Sequence, residues 1–414
     1  MDPATATLLF DDGSGDLGPL SDLRASFEQR TGGFTMLERV RTTGARIHAA
    51  VGGALQPVLR ERHGDAAFAV PAAALCVNGR LHAALDAALR SRLAALGEGR
   101  ALVAADGSVV AARLARKELS EFASGIAAGR TAVPAGVAVE PCDLPLWTRP
   151  WHLLDADRLG AALAADTAAA VAGLGAGGRG TLPAHAHCTA PASLHLHVTA
   201  TVGIGVVFDS AAGPVFVDQG VQVGHGSVIT GPAWIGARSI VAERTVLKAR
   251  AVIGPQCRAA GEIGSAIFQG FSNKAHDGHL GDALLGEWVN LGAGTVNSNL
   301  LNTYGEVAMR LRPSGALERS GRQFMGCIVG DHAKTAIGTR IMTGSSVGTG
   351  AMWAAGAEIS GAVAPFAWVT DDGERRFRLD KFADIARTVM ARRGTVPGTA
   401  YLERLSALHA AGQG

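Results

Sequence analysis

The sequence predicts an α/β layer domain followed by a three-sided parallel β-helix of six-residue repeats and a closing helical segment. Three observations predict this. Short apolar runs alternate with helix-spaced leucines before residue 105, seven aliphatics recur at an interval of six from Val217 to Ile253, and an amphipathic stretch follows residue 368. Glycine supports the middle part: 55 residues, roughly twice the ordinary share of about 7%. That much backbone freedom is frozen only where turns recur or backbones approach closely.

Residues 6–10, ATLLF, end in Asp11-Asp12-Gly13 and read as a strand running into a turn. Residues 66–70 and 101–104 are two further candidate strands, and leucines at 81, 85, 89, 93 and 96 between them have helical spacing. Strands alternating with helices favour an α/β layer. Pro134, Pro141, Pro145 and Pro150 then exclude a long helix or a central strand. Residues 151–172 have helical composition, and the glycines of residues 173–178 should end that helix. Residues 174–190 read as a link between units that fold independently. The chain accordingly divides into an α/β domain (1–150), a helix and link (151–190), a β-helix (191–368) and a helical cap (369–414).

Val217, Val223, Ile229, Ile235, Val241, Leu247 and Ile253 form the unbroken series, with Gly224, Gly236 and Gly254 directly after three of them. A period of six is neither the 3.6 of a helix nor the 2 of a strand. It fits a triangular coil in which each side supplies one inward aliphatic and each corner a turn residue. Three sides make an 18-residue coil, and stacking is required because one coil cannot bury its own apolar side. The series resumes at Leu285-Gly286 and Leu291-Gly292, then at Val329-Gly330, Ile337-Gly338 and Val347-Gly348. Residues 297–323, with NSNLLNTYG and a basic run, interrupt it, and long loops on such coils often mark the working side. Leu379, Phe382, Ile385 and Val389 make one helical stripe beyond the coil, and residues 401–408 suggest a second short helix.

Charge and composition narrow the function. With 38 basic and 36 acidic residues and 5% aromatics, the chain has neither the overall charge nor the stacking surface expected of a nucleic-acid binder. No apolar run is long enough to span a membrane, and the opening residues do not read as an export signal. Five scattered cysteines show no metal-ligand spacing and read as reduced thiols, so the expected location is cytoplasmic and no cysteine metal site is expected.

Residues 270–300, GFSNKAHDGHLGDALLGEWVNLGAGTVNSNL, carry the densest chemistry. His276 and His279 are matched to proton transfer near neutral pH. Asn290, Asn297 and Asn299 could orient a sugar or stabilise an oxyanion. Gly292 and Gly294 would let a long cofactor lie against the backbone, and Asn290 and Thr343 are further cofactor-binding candidates. The structural alternative remains open, because asparagine tolerates left-handed corners and forms amide ladders.

The segments SNKAHDGHLGD and GEWVNLGAGTVNSNLLNTYG resemble the acetyltransferase half of bifunctional glucosamine-1-phosphate N-acetyltransferase/uridylyltransferases. The resemblance is closer to a divergent branch of sugar nucleotidyltransferases whose start reads much like LLFDDGSGDLGPL. It implies a left-handed β-helix, an exception to the usual crossover hand, assembled as a homotrimer with acetyl-CoA between neighbouring coils. By motif position it implies His276 as general base and Asn299 at the acetyl-transfer site. The family has a tyrosine three residues after its histidine, where this chain has His279. Lys248, Lys274 and Arg322, with His279, are candidates to hold a sugar phosphate.

The first domain departs further from the family pattern, with no lysine before Lys117 after the stretch LLFDDGSGDLGPLSDLR. Asp11, Asp12 and Arg24 are its nucleotide candidates. The aspartates could hold Mg2+ beside phosphates or cap the following turn. The expected activity is N-acetylation of an amino sugar phosphate, glucosamine-1-phosphate first, with UTP-dependent uridylyl transfer as an added activity. The alternatives are a nucleotidyltransferase whose β-helix serves only assembly, and a non-enzymatic trimeric scaffold.

Overall fold

The computed structural model describes residues 6–411. The first five residues, part of the opening read above against export, lie outside the described residues.

The amino-terminal unit is one mixed sheet with helices against it. Its strands are β1 (Thr7–Phe10), β2 (Ile47–Ala50), β3 (Ala73–Asn78), β4 (Arg100–Val103), β5 (Val109–Ala115) and β6 (Ala138–Pro141), in the order β2-β1-β3-β5-β4-β6. β1 runs parallel to β2 and β3, whereas β5 is antiparallel to both of its neighbours. The helices of this half are α1 (Met36–Arg41), α2 (Gln56–His63), α3 (Ala87–Ala94), α4 (Arg116–Ala127) and α5 (Ala156–Leu174).

Two expectations change here. Residues 66–70 are not a strand. They fall on a 3-10 turn, Asp65–Phe68, and the strand beside β1 is instead β3, whose Leu75, Cys76 and Val77 are fully buried. The five leucines from 81 to 96 are all buried, but the helix beneath them is only α3. Asp86 starts it by accepting the Leu89 N–H, and Leu81, upstream of the helix, is bridged to Leu146.

From His187 the chain winds into a parallel β-solenoid with three walls. The first wall runs from His187–Cys188 to His279–Gly281, the second from Leu194–Leu196 to Ala362–Val363, and the third from Thr201–Val202 to a closing hairpin, Ala367–Thr370 with Gly373–Arg376. All seven aliphatics of the six-residue series are buried. They stack one coil apart, Val217 on Ile235 on Ile253, Val223 on Val241, and Ile229 on Leu247. Each such burial is worth roughly 1.5–3 kcal/mol.

The register after the loop differs from the expected one. Ile337 is 79% exposed, and the inward series is Val329, Thr335, Ile341 and Val347. Ile337 belongs to the corner instead, one residue before Gly338 at φ +69°.

The corner between the second and third walls is unusual. Phe271, Trp288, His332 and Phe366 all sit there with left-handed φ of 55–63°, a conformation uncommon for bulky residues. Their rings form a column, with Phe271 and Trp288 stacked at 4.3 Å. It is covered by α6 (Leu379–Ala391) and α7 (Thr399–Ala411), whose Phe382 meets Phe366 edge-on and whose Tyr401 hydroxyl pairs with His332 Nε2 at 2.8 Å.

The outer side of the second wall is apolar. Phe216, Trp234, Val252, Ile267, Leu284 and Ile328 follow one another coil by coil. They are buried against Leu17, Leu20, Trp147, Trp151, Leu159 and Leu163. Paired charges join the same seam: Arg24 grips Asp331 with both terminal nitrogens, and Arg39 of α1 grips Asp166 of α5. The units on either side of residues 174–190 therefore share a buried cluster.

Candidate active site

The site lies where the first wall breaks. Its sheet ends at His279–Gly281, and the next strand on that side, Val296–Asn297, pairs onward with Arg340–Ile341. The Asn297 amide bridges the break: its Oδ1 accepts the Gly281 N–H and its Nδ2 donates to the Gly281 carbonyl, both at 2.8 Å. A side chain thus replaces a missing backbone rung and satisfies both groups of Gly281. The long loop leaves directly after it.

Three side chains meet at this break. His279 Nδ1 pairs with Glu262 Oε1 at 3.1 Å, one coil away, and Glu262 also pairs with Lys248. The Lys248 hydrogen bond and charge hold the Glu262 carboxyl below its ordinary range, so it is ionised and orients the ring. Asn299 Nδ2 donates to Asp282 Oδ2 at 2.8 Å, and Arg322 Nη2 lies 3.7 Å from Asp282 Oδ1. Burial pushes the Asp282 carboxyl above its ordinary value against these partners. Asp282 is placed by its own left-handed corner, φ +47°. A side chain at Gly281 would put its Cβ 2.6 Å from His279 Nε2 and 2.7 Å from Asn299 Nδ2, so glycine is what lets the imidazole and the amide share this space.

His276 is exposed, three residues from His279 on the turn before the last strand of the wall. Lys274 underlies that turn. It occupies an inward position between Ala259 and Leu291, is 1% exposed, and donates from Nζ to the carbonyls of Ala260, His276 and Asp277 at 2.9–3.1 Å. Burial lowers its pKa to about 8. Lys274 thereby ties the His276 turn to the inside of the coil, and its ammonium is used by backbone.

The other candidates are spread around the prism. Asn290 accepts from Asn273 at 3.3 Å on the third wall, a ladder between successive coils. Gly292 lies against the backbone of Ala336 in the next coil, and Gly294 turns a corner at φ +70°. Thr343 bonds the Ser298 hydroxyl at 2.8 Å, beside the start of the loop. Lys248 lies on the first wall with its head exposed, and Arg322 is on the returning arm of the loop.

Asp11, Asp12 and Arg24 are not one cluster. Asp12 is clamped by Arg80 at 2.6 and 2.7 Å and also accepts from Asn78. Burial alone would raise its pKa, but Arg80 outweighs it and holds the carboxyl ionised. Asp11 accepts from the Gly13 and Ser26 backbones, and Arg24 is buried on Asp331. In this arrangement the aspartates do not fit a site for a divalent ion, and among the described residues no group of three or more acidic, histidine or cysteine side chains could hold one.

Sequence reasoning missed Glu262 and Gly281, and it placed Asp282 in the polar cluster without giving it a role. HLGD was the available signal, since a glycine between a histidine and an aspartate at a strand end marks a close approach.

Residues 7–173 match the sugar nucleotidyl transferase family. Over 142 residues the chain is 27% identical to a bifunctional sugar-1-phosphate nucleotidylyltransferase/acetyltransferase of Sulfurisphaera tokodaii, covering 33% of this chain and 34% of that one. Over 55 residues it is 47% identical to the bifunctional protein GlmU of Rippkaea orientalis, covering 13% of this chain and 12% of the relative. Its repeat domain is homologous to that of the GlmU-like acetyltransferases, at low identity. The matched stretches span about a third and an eighth of these relatives. A solved UDP-N-acetylglucosamine acyltransferase of Francisella novicida overlaps 52% of this chain and 75% of its own, with 14% identity and a TM-score of 0.20. The chain combines an amino-terminal region similar to sugar nucleotidyl transferases with a parallel β-solenoid of six-residue repeats. No helix among the described residues is long and apolar enough to cross a membrane.

Proposed function

We propose that the protein transfers an acetyl group from acetyl-CoA to the amine of an amino sugar phosphate, glucosamine-1-phosphate first among the acceptors, at the break in the first wall. The observation that carries this reading is the convergence of His279, Asn299 and Asp282 on Gly281 within a domain homologous to acyltransferases. The amine attacks the thioester carbonyl, forming the C–N bond. A histidine takes the amine proton, an amide such as that of Asn299 donates to the oxyanion, and the C–S bond breaks to release CoA as the thiol. Motif position favours His276 as the base, facing a neighbouring copy in a homotrimer. A second reading is favoured by geometry: Glu262 already orients His279, whose Nε2 faces the same clearing as Asn299.

Release of free thiol from acetyl-CoA in the presence of glucosamine-1-phosphate tests the activity. Its absence with every amino sugar phosphate tried leaves the assembly or scaffold readings. Uridylyl transfer in the amino-terminal unit is proposed as a second activity on the family match alone. Consumption of UTP with N-acetylglucosamine-1-phosphate tests it.

A further inference from the structure

A cavity of about 380 Å³ opens between the amino-terminal unit and the returning arm of the loop, lined among others by His82, His152, Asp155, Arg158, Ser320 and Arg322. Its residues come from four separate segments, and most of its charge is positive. Asp155 is the one acid in the lining, and one of its oxygens is taken by the Arg158 N–H at the start of α5.

The donors of this lining are underused. His82 is 6% exposed and walls the cavity, with its Nε2 enclosed and without a hydrogen-bond partner among the described residues. His152 Nδ1 accepts the Thr148 N–H at 3.2 Å, so in the neutral ring the hydrogen sits on Nε2, a donor. Arg158 spends one terminal nitrogen on the His82 carbonyl and Arg322 spends Nε on the Phe324 carbonyl. Their remaining guanidinium nitrogens reach no acceptor within hydrogen-bond distance among the described residues. Burial first, and Arg158 and Arg149 next, hold both imidazoles below the ordinary histidine range, His82 at about 4. Two arginines with unspent nitrogens and the His152 Nε2–H around one small cavity match a fixed multivalent oxyanion.

We propose that this cavity binds a phosphate ester, with Arg158 and Arg322 as charged donors and His152 Nε2 as a neutral one. Arg322 also neighbours Asp282, so an ester held here sits next to the His279–Asn299 clearing. That the ester is the acyl acceptor rests on the function proposed above; phosphate binding itself does not.

The test is calorimetric titration of the full-length chain with inorganic phosphate and with pyrophosphate, without acetyl-CoA. Arg158→Gln and Arg322→Gln should each weaken binding about tenfold or more. Arg387→Gln, on an exposed face of α6, should not, and circular dichroism melts establish that the variants are folded. No heat from the unaltered protein, or equal affinity in all three variants, overturns the proposal. Because binding is read apart from acyl transfer, phosphate binding together with a negative thiol-release assay would defeat the acyltransferase reading and leave this site standing.

Discussion

His279 is held by Glu262 across 17 residues of sequence, whereas His276, three residues earlier, keeps its ring outside. This difference makes the two histidines separable by experiment. Removing the base should lower turnover roughly 10²–10⁴-fold. His276→Ala is expected to do so on motif position, with His279→Ala acting mainly on KM. The reverse pattern in folded variants would transfer the role to His279. Gly281→Ala should abolish acetyl transfer, because the added methyl collides with both His279 and Asn299; unchanged thiol release would show that the clearing is not the reaction site. The histidine and asparagine types were legible in the sequence. Their partners were not, because pairing Glu262 with His279 needs a coil of 17 residues where the repeat alone gives 18. A further residue-scale effect concerns acid. Burial would raise the Glu28 pKa, but Arg62 and His63 outweigh it and hold it at about 2, against 4.5 for a free glutamate. The folded value is the lower one, so the stabilisation is full above pH 4.5 and is lost as pH falls towards about 2; it is on the order of 3 kcal/mol. Glu28→Gln should therefore flatten melting temperature against pH in that window, and an unchanged profile would contradict the pairing.

At the scale of elements, the seven-member series gave the stack directly, since each of its residues is buried and paired with its copy one coil on. Ile253→Ala should cost about 2–5 kcal/mol by opening a void between coils, as read by denaturant unfolding. The same reasoning misplaced Ile337, because a following glycine occurs both after inward residues and within corners. Inside the loop-bearing part, the inward Thr335 carried too little apolar character to announce itself. Lys274 was read as a phosphate ligand for the same reason: nothing in a local pattern says that a lysine stands at an inward position. Lys274→Met keeps the apolar stem and removes three donated bonds. It should raise amide exchange at residues 276–278 and lower acetyl transfer, while the rest of the coil keeps its protection. Protection unchanged at that turn would mean the ammonium is not what holds it.

At the scale of the molecule, the amino-terminal unit and the solenoid are joined through Trp234, which stacks on Phe216 at 4.2 Å and meets Phe34 edge-on at 5.0 Å. Trp234→Ala should cost about 3–5 kcal/mol and loosen both units together, since each loses the same partner. Two separate transitions with only one displaced would argue against a common core. The sequence showed that α/β and solenoid parts exist. It did not show that they lie side by side, because an outward Phe, Trp or Ile in a solenoid strand looks the same whether water or another part of the chain covers it. The roofed second wall also limits assembly. A flank already claimed by the polypeptide's own beginning cannot be offered to a sibling, so any companion copy has to approach over the remaining two sides of the prism, and one of those carries the gap beside Gly281.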